Sequence, residues 1–444
     1  MSRYSLIEDV NFSSTFAWVC KEYCKDNENV NDGEDRKFLH YRSLEAFNYI
    51  LKDGKLRAYD LRFMNDKSEF EFGMTLLEGM KISKRTLQIN KARTFIPMCI
   101  SFSVGEESIP QWEMYAKEAG INLQFDFSSL KENGEVFIGQ ESNRENYYIN
   151  TGLKEPIPVT YIENRRSMKL DKFKVILEKK EIPNGVAKWT VAVPMILAPL
   201  IKSKDFEFEH EARFVTLAYS EKGDKAGNGT KIFSDFNGTY LRSYVNLCFC
   251  KKYNKKEGER LSFEEIEEGP FPPPGYPKSK NIGLPIKKLQ IGPGRNQEKV
   301  FDSVVRRLEF GEVKVCPISL FTFLERLKEY MQNIFEFSGL TEAEYEMEAE
   351  RIKKNLSSFG DEQQKKKLIN FKEYDEVKGI LNKKELHENI ISVICAKIKQ
   401  QNANITENEA RAEAEEKLKE FEKTNYFSWY GITVYTSKKD FSFV

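Results

Sequence analysis

The residues best placed to do chemistry lie in one tract, Phe206-Glu-Phe-Glu-His-Glu-Ala-Arg-Phe214. Its alternation is strict, with Phe206, Phe208, His210, Ala212 and Phe214 at one parity and Glu207, Glu209, Glu211 and Arg213 at the other. In a strand, side chains two apart share a face and stand roughly 6.5–7 Å apart along the chain. Read as a strand, the tract aims Glu209 and Glu211 into the same space. Lining a cleft, their mutual repulsion would raise one apparent pKa and divide the two acids into distinct roles, as acid–base and electrostatic catalysis require. The competing reading is a half-exposed edge strand whose acids and Arg213 are simply solvated.

Metal chemistry has thinner support. Asp66, Glu69, Glu209 and Glu211 together would suit a divalent cation and a nuclease-like reaction. Three histidines (His40, His210, His387) are too few for a multi-histidine centre. Cys20 and Cys24 lie one helical turn apart, and Cys248 and Cys250 form a C-x-C, a set that reads either as a zinc site or as buried small hydrophobes. Seven scattered cysteines fit reduced thiols. No G-x-G-x-x-G, Walker loop, H-E-x-x-H or G-x-S-x-G motif occurs.

The elements that must carry these residues follow from periodicity and punctuation. Strands are expected at Lys37–Arg42, Lys55–Tyr59, Thr94–Ser103, Ile121–Phe127, 159–163, 211–218, 245–250, 284–291 and Val313–Cys316. Helices are expected at Ser13–Tyr23, at Leu44–Leu51 (stopped by Asp53-Gly54), at Ser68–Met80, at Trp112–Ala119 (closed by Gly120) and at Val300–Glu309. Gly269–Pro277, with its run of prolines, is a surface loop. From about Ser319 the chain turns into charge-rich helical patterns: Leu324–Phe337, Glu342–Asn355, Lys372–Leu381, Leu386–Lys399 and Glu407–Lys423, the last started by Thr406. Strand-like alternation returns at Tyr430–Phe443. The organisation expected is an α+β body over 1–320, a helical module over 321–425 and a closing strand segment over 426–444.

Composition bounds the function. In 444 residues, 69 basic side chains balance 69 acidic ones, so no global field draws the chain to nucleic acid or to an anionic membrane. Hydrophobic residues at 40% and aromatics at 13% supply a large core and aromatic-walled clefts. The opening Met-Ser-Arg-Tyr-Ser-Leu lacks an apolar h-region, and the run Val191–Ile201 is too short to span a bilayer and holds Pro194 and Pro199. The expectation is a cytoplasmic protein with no membrane partner. Lys251–Lys256 and Lys365–Lys367 read as solvated basic faces or as tracks for a phosphate backbone.

Several short motifs in fixed order resemble a bacterial family, domain of unknown function 2971. They are Tyr41-Arg42, Asn65-Asp66 with Glu69, Ser101-Phe102-Ser103, Trp112 with Tyr115, Gly120, Phe125-Asp126, Glu209-x-Glu211-x-Arg213 and the strand Leu284–Pro293. The likeness runs over about residues 37–320. It departs at Lys67, where the family has Pro, and at Met114, where it has His.

That family is similar in turn to ADP-ribosyltransferases of the Arg–Ser–Glu type. The resemblance implies their mixed-sheet core with flanking helices, and NAD+ as the cofactor consumed. Arg42 would hold a phosphate or ribose of NAD, Ser101 or Ser103 would orient the nicotinamide ribose, and Glu211 with Glu209 would do the chemistry. Trp112, Tyr115 or Tyr41 would stack on nicotinamide or adenine. Asn65, Asp66, Glu69 and Arg213 would support the site. The plainer roles of these residues are an Arg42 ion pair with Asp66 or Glu69, core packing of Trp112 and Tyr115, strand-end capping by the serines, and a turn at Asn65-Asp66. The function implied is a mono-ADP-ribosyltransferase, of toxin or phage-defence type, acting on a protein or nucleic-acid acceptor. A metal-dependent nuclease, or a scaffold recruiting a protein partner through 320–425, is the alternative.

Overall fold

The computed structural model describes residues 18–19, 22–23, 36–63, 68–79, 95–116, 120–128, 136–143, 148–151, 153–164, 167–178, 193–219, 230–236, 239–252, 279–294, 296–316, 318–341, 368–369, 383–428 and 431–437. Of the features expected above, Cys20, Cys24, Asn65, Asp66, the proline-rich loop, Lys365–Lys367 and the helices Glu342–Asn355 and Lys372–Leu381 lie outside these residues, as does most of Lys251–Lys256. The chain is α+β with a mixed β-sheet. It falls into two compact units that interleave in sequence, which is a different division from one at residue 320: 1–40, 54–106 and 127–284 form the first, and 41–53, 107–126 and 285–444 the second.

In the first unit the dense apolar run at 95–104 becomes the strand Phe95–Val104. Strand Glu211–Tyr219 runs antiparallel beside it, from Glu211 opposite Ser103 to Tyr219 opposite Phe95. Its other neighbours on the ladder are Phe38 and Leu39 of the strand Phe38–Arg42, and Tyr59 and Asp60 of Lys55–Asp60. The sheet continues through Leu241–Lys252 and Val136–Glu141. Phe127 holds one face together, meeting Phe38, Phe102, Phe214 and Phe249 with ring centroids 5.3–5.9 Å apart. These are the edge-to-face and offset distances that aromatic pairs favour. Helix Ser68–Glu78 packs on the Ala198–Leu200 turn so closely that a Cβ at Gly73 would lie 2.3 Å from the Ala198 carbonyl oxygen.

In the second unit Ile121–Phe125 pairs antiparallel with Ile286–Ile291, which runs parallel to Thr433–Thr436, itself antiparallel to Asn425–Phe427. Its helical core sets Phe323, Leu327, Met331 and Ile334 against Ile390, Ile394 and Ile398, with Ala410, Ala414, Leu418 and Phe421 on the next helix. Thr406 starts that helix with a full capping box, its hydroxyl accepting from the Glu409 N–H and the Glu409 carboxylate accepting from the Thr406 N–H. The strand expected at Val313–Cys316 does not form. Its Lys314 N–H instead donates to the Leu51 carbonyl at the end of helix Leu44–Asp53, and 313–316 carry a single bridge, at Val315. Among the described residues, no helix is long and apolar enough to cross a membrane.

Candidate functional site

Glu209 and Glu211 do converge, but not as alternate residues of a strand. Lys204–Glu209 is a 3-10 helix, opened by the Ser203 hydroxyl accepting from the Asp205 N–H at 3.4 Å. It closes on His210, which adopts φ 44 and ψ 52. Among the described residues His210 is the non-glycine residue with positive φ, a conformation that costs on the order of 1 kcal/mol and needs local compensation. The compensation is visible. The His210 N–H donates to Glu207 O at 3.1 Å, and His210 O accepts from the Val104 N–H at 2.8 Å. The left-handed residue turns the chain straight into the strand that begins at Glu211.

At this turn the two acids face inward and the residues flanking Glu209 face outward. Phe208 is 49% exposed and His210 is exposed, whereas Glu209 and Glu211 are each 6% exposed. Glu207, expected beside them, is only partly buried and stands 3.9 Å from Lys169. Alternation returns only within the strand, where Glu211 and Arg213 share a face.

Around the two glutamates the first unit assembles a closed set of charges. Lys202, on the short strand Ile201–Ser203, is 2% exposed. Its Nζ donates to Glu209 Oε2 at 2.6 Å and to Glu211 Oε2 at 3.1 Å, and lies 2.8 Å from Glu69 Oε1. Arg213, 1% exposed, places Nε 2.6 Å from Glu211 Oε1 and Nη2 2.7 Å from Glu211 Oε2. The same Nη2 reaches Glu69 Oε2 at 2.6 Å, and Nη1 donates to Pro199 O at 2.8 Å. The Glu211 N–H donates to the Tyr161 hydroxyl at 2.7 Å. Register places Ser103 opposite Glu211 and Ser101 opposite Arg213, and the Ser101 hydroxyl hydrogen-bonds Glu211.

Three carboxylates thus face two cations, and one negative charge is left over. Burial opposes ionisation of Glu211, but the Arg213 and Lys202 charges, with hydrogen bonds from Arg213 and Ser101, outweigh it and hold the carboxyl down at about 2. Glu209 moves the other way. Burial raises its pKa, and the Lys202 ammonium only partly offsets this. Burial penalises both acids, and they are split because two cations hold Glu211 down while Glu209 has only Lys202. Nearby, burial pushes the Cys99 thiol up to about 12, so it stays protonated.

Lys202 is the functional side chain that sequence reasoning passed over. Its signal was a cation directly after the apolar run 191–201, a few residues before the acidic tract. Both oxygens of Glu69 and of Glu211, and Oε2 of Glu209, are taken up by this ammonium and the Arg213 guanidinium. Among the described residues no group of His, Cys, Asp or Glu is arranged to hold a metal ion.

The remaining expected site residues belong to the second unit. Arg42 ends the strand Phe38–Arg42 and is half-buried. Trp112 is 2% exposed and meets Tyr41 edge-on, with centroids 4.9 Å apart. The Tyr41 hydroxyl accepts from the Ser108 N–H, and the Trp112 Nε1–H donates to Glu107, which also accepts from Gln290 and Ser437. Buried on all sides, these two rings offer no face for stacking on nicotinamide or adenine. Tyr115 is exposed.

Residues 111–214 match the family model described as Protein of unknown function (DUF2971). That stretch contains Trp112, Tyr115, Glu209, Glu211 and Arg213, while Tyr41, Arg42, Glu69 and the Ser101–Ser103 motif precede it. No curated protein and no solved structure matches the chain.

Proposed function

We propose that the first unit carries an ADP-ribosyltransferase centre, which breaks the nicotinamide–ribose bond of NAD+ and passes ADP-ribose to a macromolecular acceptor. The observation that carries this reading is the split between two carboxylates on one ammonium, Glu211 held ionised and Glu209 raised toward its protonated form. Loss of nicotinamide leaves positive charge on the ribose. A carboxylate fixed in its charged form beside that ring stabilises the transition state without reorganising. Glu211 has that character, and the surplus negative charge of the cluster acts in the same direction.

Glu209 has the higher proton affinity and takes the proton of the incoming nucleophile. The electron pair of the broken C–N bond leaves with nicotinamide, and the acceptor's lone pair forms the new bond to ribose. The hydroxyls of Ser101 and Ser103, across the ladder from Arg213 and Glu211, are the groups to orient the sugar. The strand order supports the resemblance too. Phe95–Val104, which bears the serines, pairs with the strand that ends in Arg42 and with the strand that begins at Glu211. Structural stabilisation alone is a weak account of the cluster, because a buried ion network is commonly matched or bettered by apolar residues of similar volume.

The test is to incubate the full-length protein with NAD+ labelled in its adenylate half, with and without cell extract, and to follow free nicotinamide and label on macromolecules. Glu211→Gln should abolish both signals. Glu209→Gln should slow transfer on the order of a hundredfold, the scale of a lost general base. Circular dichroism is the control that each variant is folded. No nicotinamide release with any extract, or unchanged turnover in folded Glu211→Gln, refutes the proposal.

A further inference from the structure

The segment joining Lys202 to Glu211 is held differently from the strands around it. Within 204–210, Glu209 alone is buried; Phe206 and Glu207 are half-buried, and Lys204, Asp205, Phe208 and His210 are exposed. Its six successive residues in 3-10 conformation exceed the roughly three or four beyond which such runs are uncommon, and His210 ends them in the left-handed region. Two ion pairs tie its outer side, Lys204 to Glu163 at 3.8 Å and Glu207 to Lys169 at 3.9 Å. All four side chains are 46–69% exposed, so these pairs hold weakly. The inner ties run to Lys202, whose Nζ lies 2.6 Å from Glu209 Oε2 and 4.8 Å from the centroid of the Phe206 ring.

Both ends of the segment are pinned. Ser203 pairs with Ile162, and His210 O accepts from the Val104 N–H at 2.8 Å. Beyond His210, Glu211–Tyr219 pairs with Phe95–Val104 along its whole length. Resistance to local opening rises with buried contacts, so the segment between the pins opens at less cost than the strand that follows it. The chemistry proposed above also demands an opening. With Lys202 2% exposed and Glu211 6%, a sugar ring has no access to the carboxylates in the closed form.

We propose that Lys204–Glu209 is a gate over the carboxylate centre, hinged at Ser203 and His210. It lifts Glu209 and Phe206 off Lys202 to admit substrate, then closes to bring Glu209 back to the reacting groups. What is admitted rests on the ADP-ribosyltransferase reading; the motion does not. Glu211 and Arg213 stay fixed in the ladder, so the charge offered to the ribose is set before the gate moves. The closed form alone carries the cost of a left-handed His210, which keeps the balance between the two forms shallow. Closure of such a lid excludes water from the reaction.

Amide exchange of the full-length protein tests this, read by mass spectrometry on peptides covering 204–210 and 211–219. The first should exchange at least about a hundredfold faster than the second. His210→Val places a β-branched residue where the left-handed region is most costly and should speed the first about tenfold, whereas His210→Asn, which tolerates that region, should leave it unchanged. Phe206→Ala removes an inner tie without touching the hinge and should speed it several-fold. None of the three should alter 211–219, and circular dichroism should be unchanged. Carbodiimide labelling of Glu209 and Glu211 should rise in each variant by the same factor as the exchange. Equal protection of the two segments, exchange unmoved by both His210→Val and Phe206→Ala, or labelling that does not follow the exchange overturns the gate. Absence of nicotinamide release with this pattern intact overturns the chemistry and leaves the gate standing.

Discussion

Replacing Lys202 by Met leaves the side-chain stem in place and removes one charge from the centre of the first unit. Glu69 and Glu211 then keep Arg213 as their cation, and Glu209 loses the ammonium that bonds it. Removing one partner from a buried ion pair costs about 3–5 kcal/mol, mainly because the other charge stays buried without compensation. The pH dependence follows from the directions of the shifts. In the wild type Glu211 is held at about 2, below the ordinary 4.5. Its contribution is therefore fully present above pH 4.5 and is lost as pH falls from there toward 2. At 1.36 kcal/mol per pH unit that contribution is about 3 kcal/mol.

Without Lys202 the burial of Glu209 and Glu211 is opposed less, and both pKa values move up. A carboxyl whose folded pKa is raised penalises the folded state above that pKa, and the penalty is relieved as pH falls through it. The gap between wild type and Lys202→Met should thus be widest near pH 8 and should shrink toward pH 4. Native-state amide exchange along Glu211–Tyr219 reads the opening free energy where the change is made, without assuming that both units unfold together. A loss below about 1 kcal/mol at pH 8, the scale of an exposed ion pair, or a gap that widens on acidification would refute the account of the cluster as one electrostatic unit.

Three further outcomes test packing and capping, two in the first unit and one in the second. Phe127→Ala removes the ring shared by Phe38, Phe102, Phe214 and Phe249 and should cost about 3–5 kcal/mol in urea unfolding; a cost under 1 kcal/mol would show that the aromatic cluster is not integral to the sheet. Gly73→Ala drives a methyl to within 2.3 Å of Ala198 O and should destabilise by about 1–3 kcal/mol despite alanine's better helix propensity; a gain in the urea midpoint would contradict the close approach. Thr406→Ala deletes the capping box and should cost about 1 kcal/mol, seen as faster amide exchange in the first turn of Glu407–Glu422; unchanged exchange there would mean that the cap is idle.

Local grammar carried much of the fold. The Asp53-Gly54 stop is met by a glycine at φ 61, the helix begun by Thr406 starts where its cap predicts, and the apolar run at 95–104 is the strand it resembles. Failures arose where a segment's conformation depends on residues distant in sequence. Alternating Phe and Glu over 206–214 satisfies the strand rule, which assumes that the apolar parity turns inward. Here the acidic parity goes inward, because Lys202 and Arg213 wait there to neutralise it, and Arg213 is itself anchored on Glu69, 144 residues earlier. With a lysine bonding Glu209 and Glu211 together, the backbone leading into Glu209 is a 3-10 helix, the histidine between the two acids is left-handed, and Phe208 is left outside.

The same reasoning explains why the motif Glu209-x-Glu211-x-Arg213 was readable as chemistry while its geometry was not. Spacing of two tells which residue types travel together, and both acids and the arginine do meet. It does not tell which of two identical side chains will be ionised, since that depends on how many cations each reaches. Glu211 takes both oxygens to Arg213 and shares Lys202, whereas the hydrogen bonds recorded to Glu209 among the described residues all fall on Oε2, from Lys202 alone. Unequal cation contact, set by a lysine from one strand and an arginine from another, is what shifts the two acids in opposite directions. A pH–rate profile of nicotinamide release should therefore rise with the deprotonation of Glu209 and lose that limb in Glu209→Gln. A profile unchanged by that substitution would assign the two carboxylates to structure rather than to catalysis.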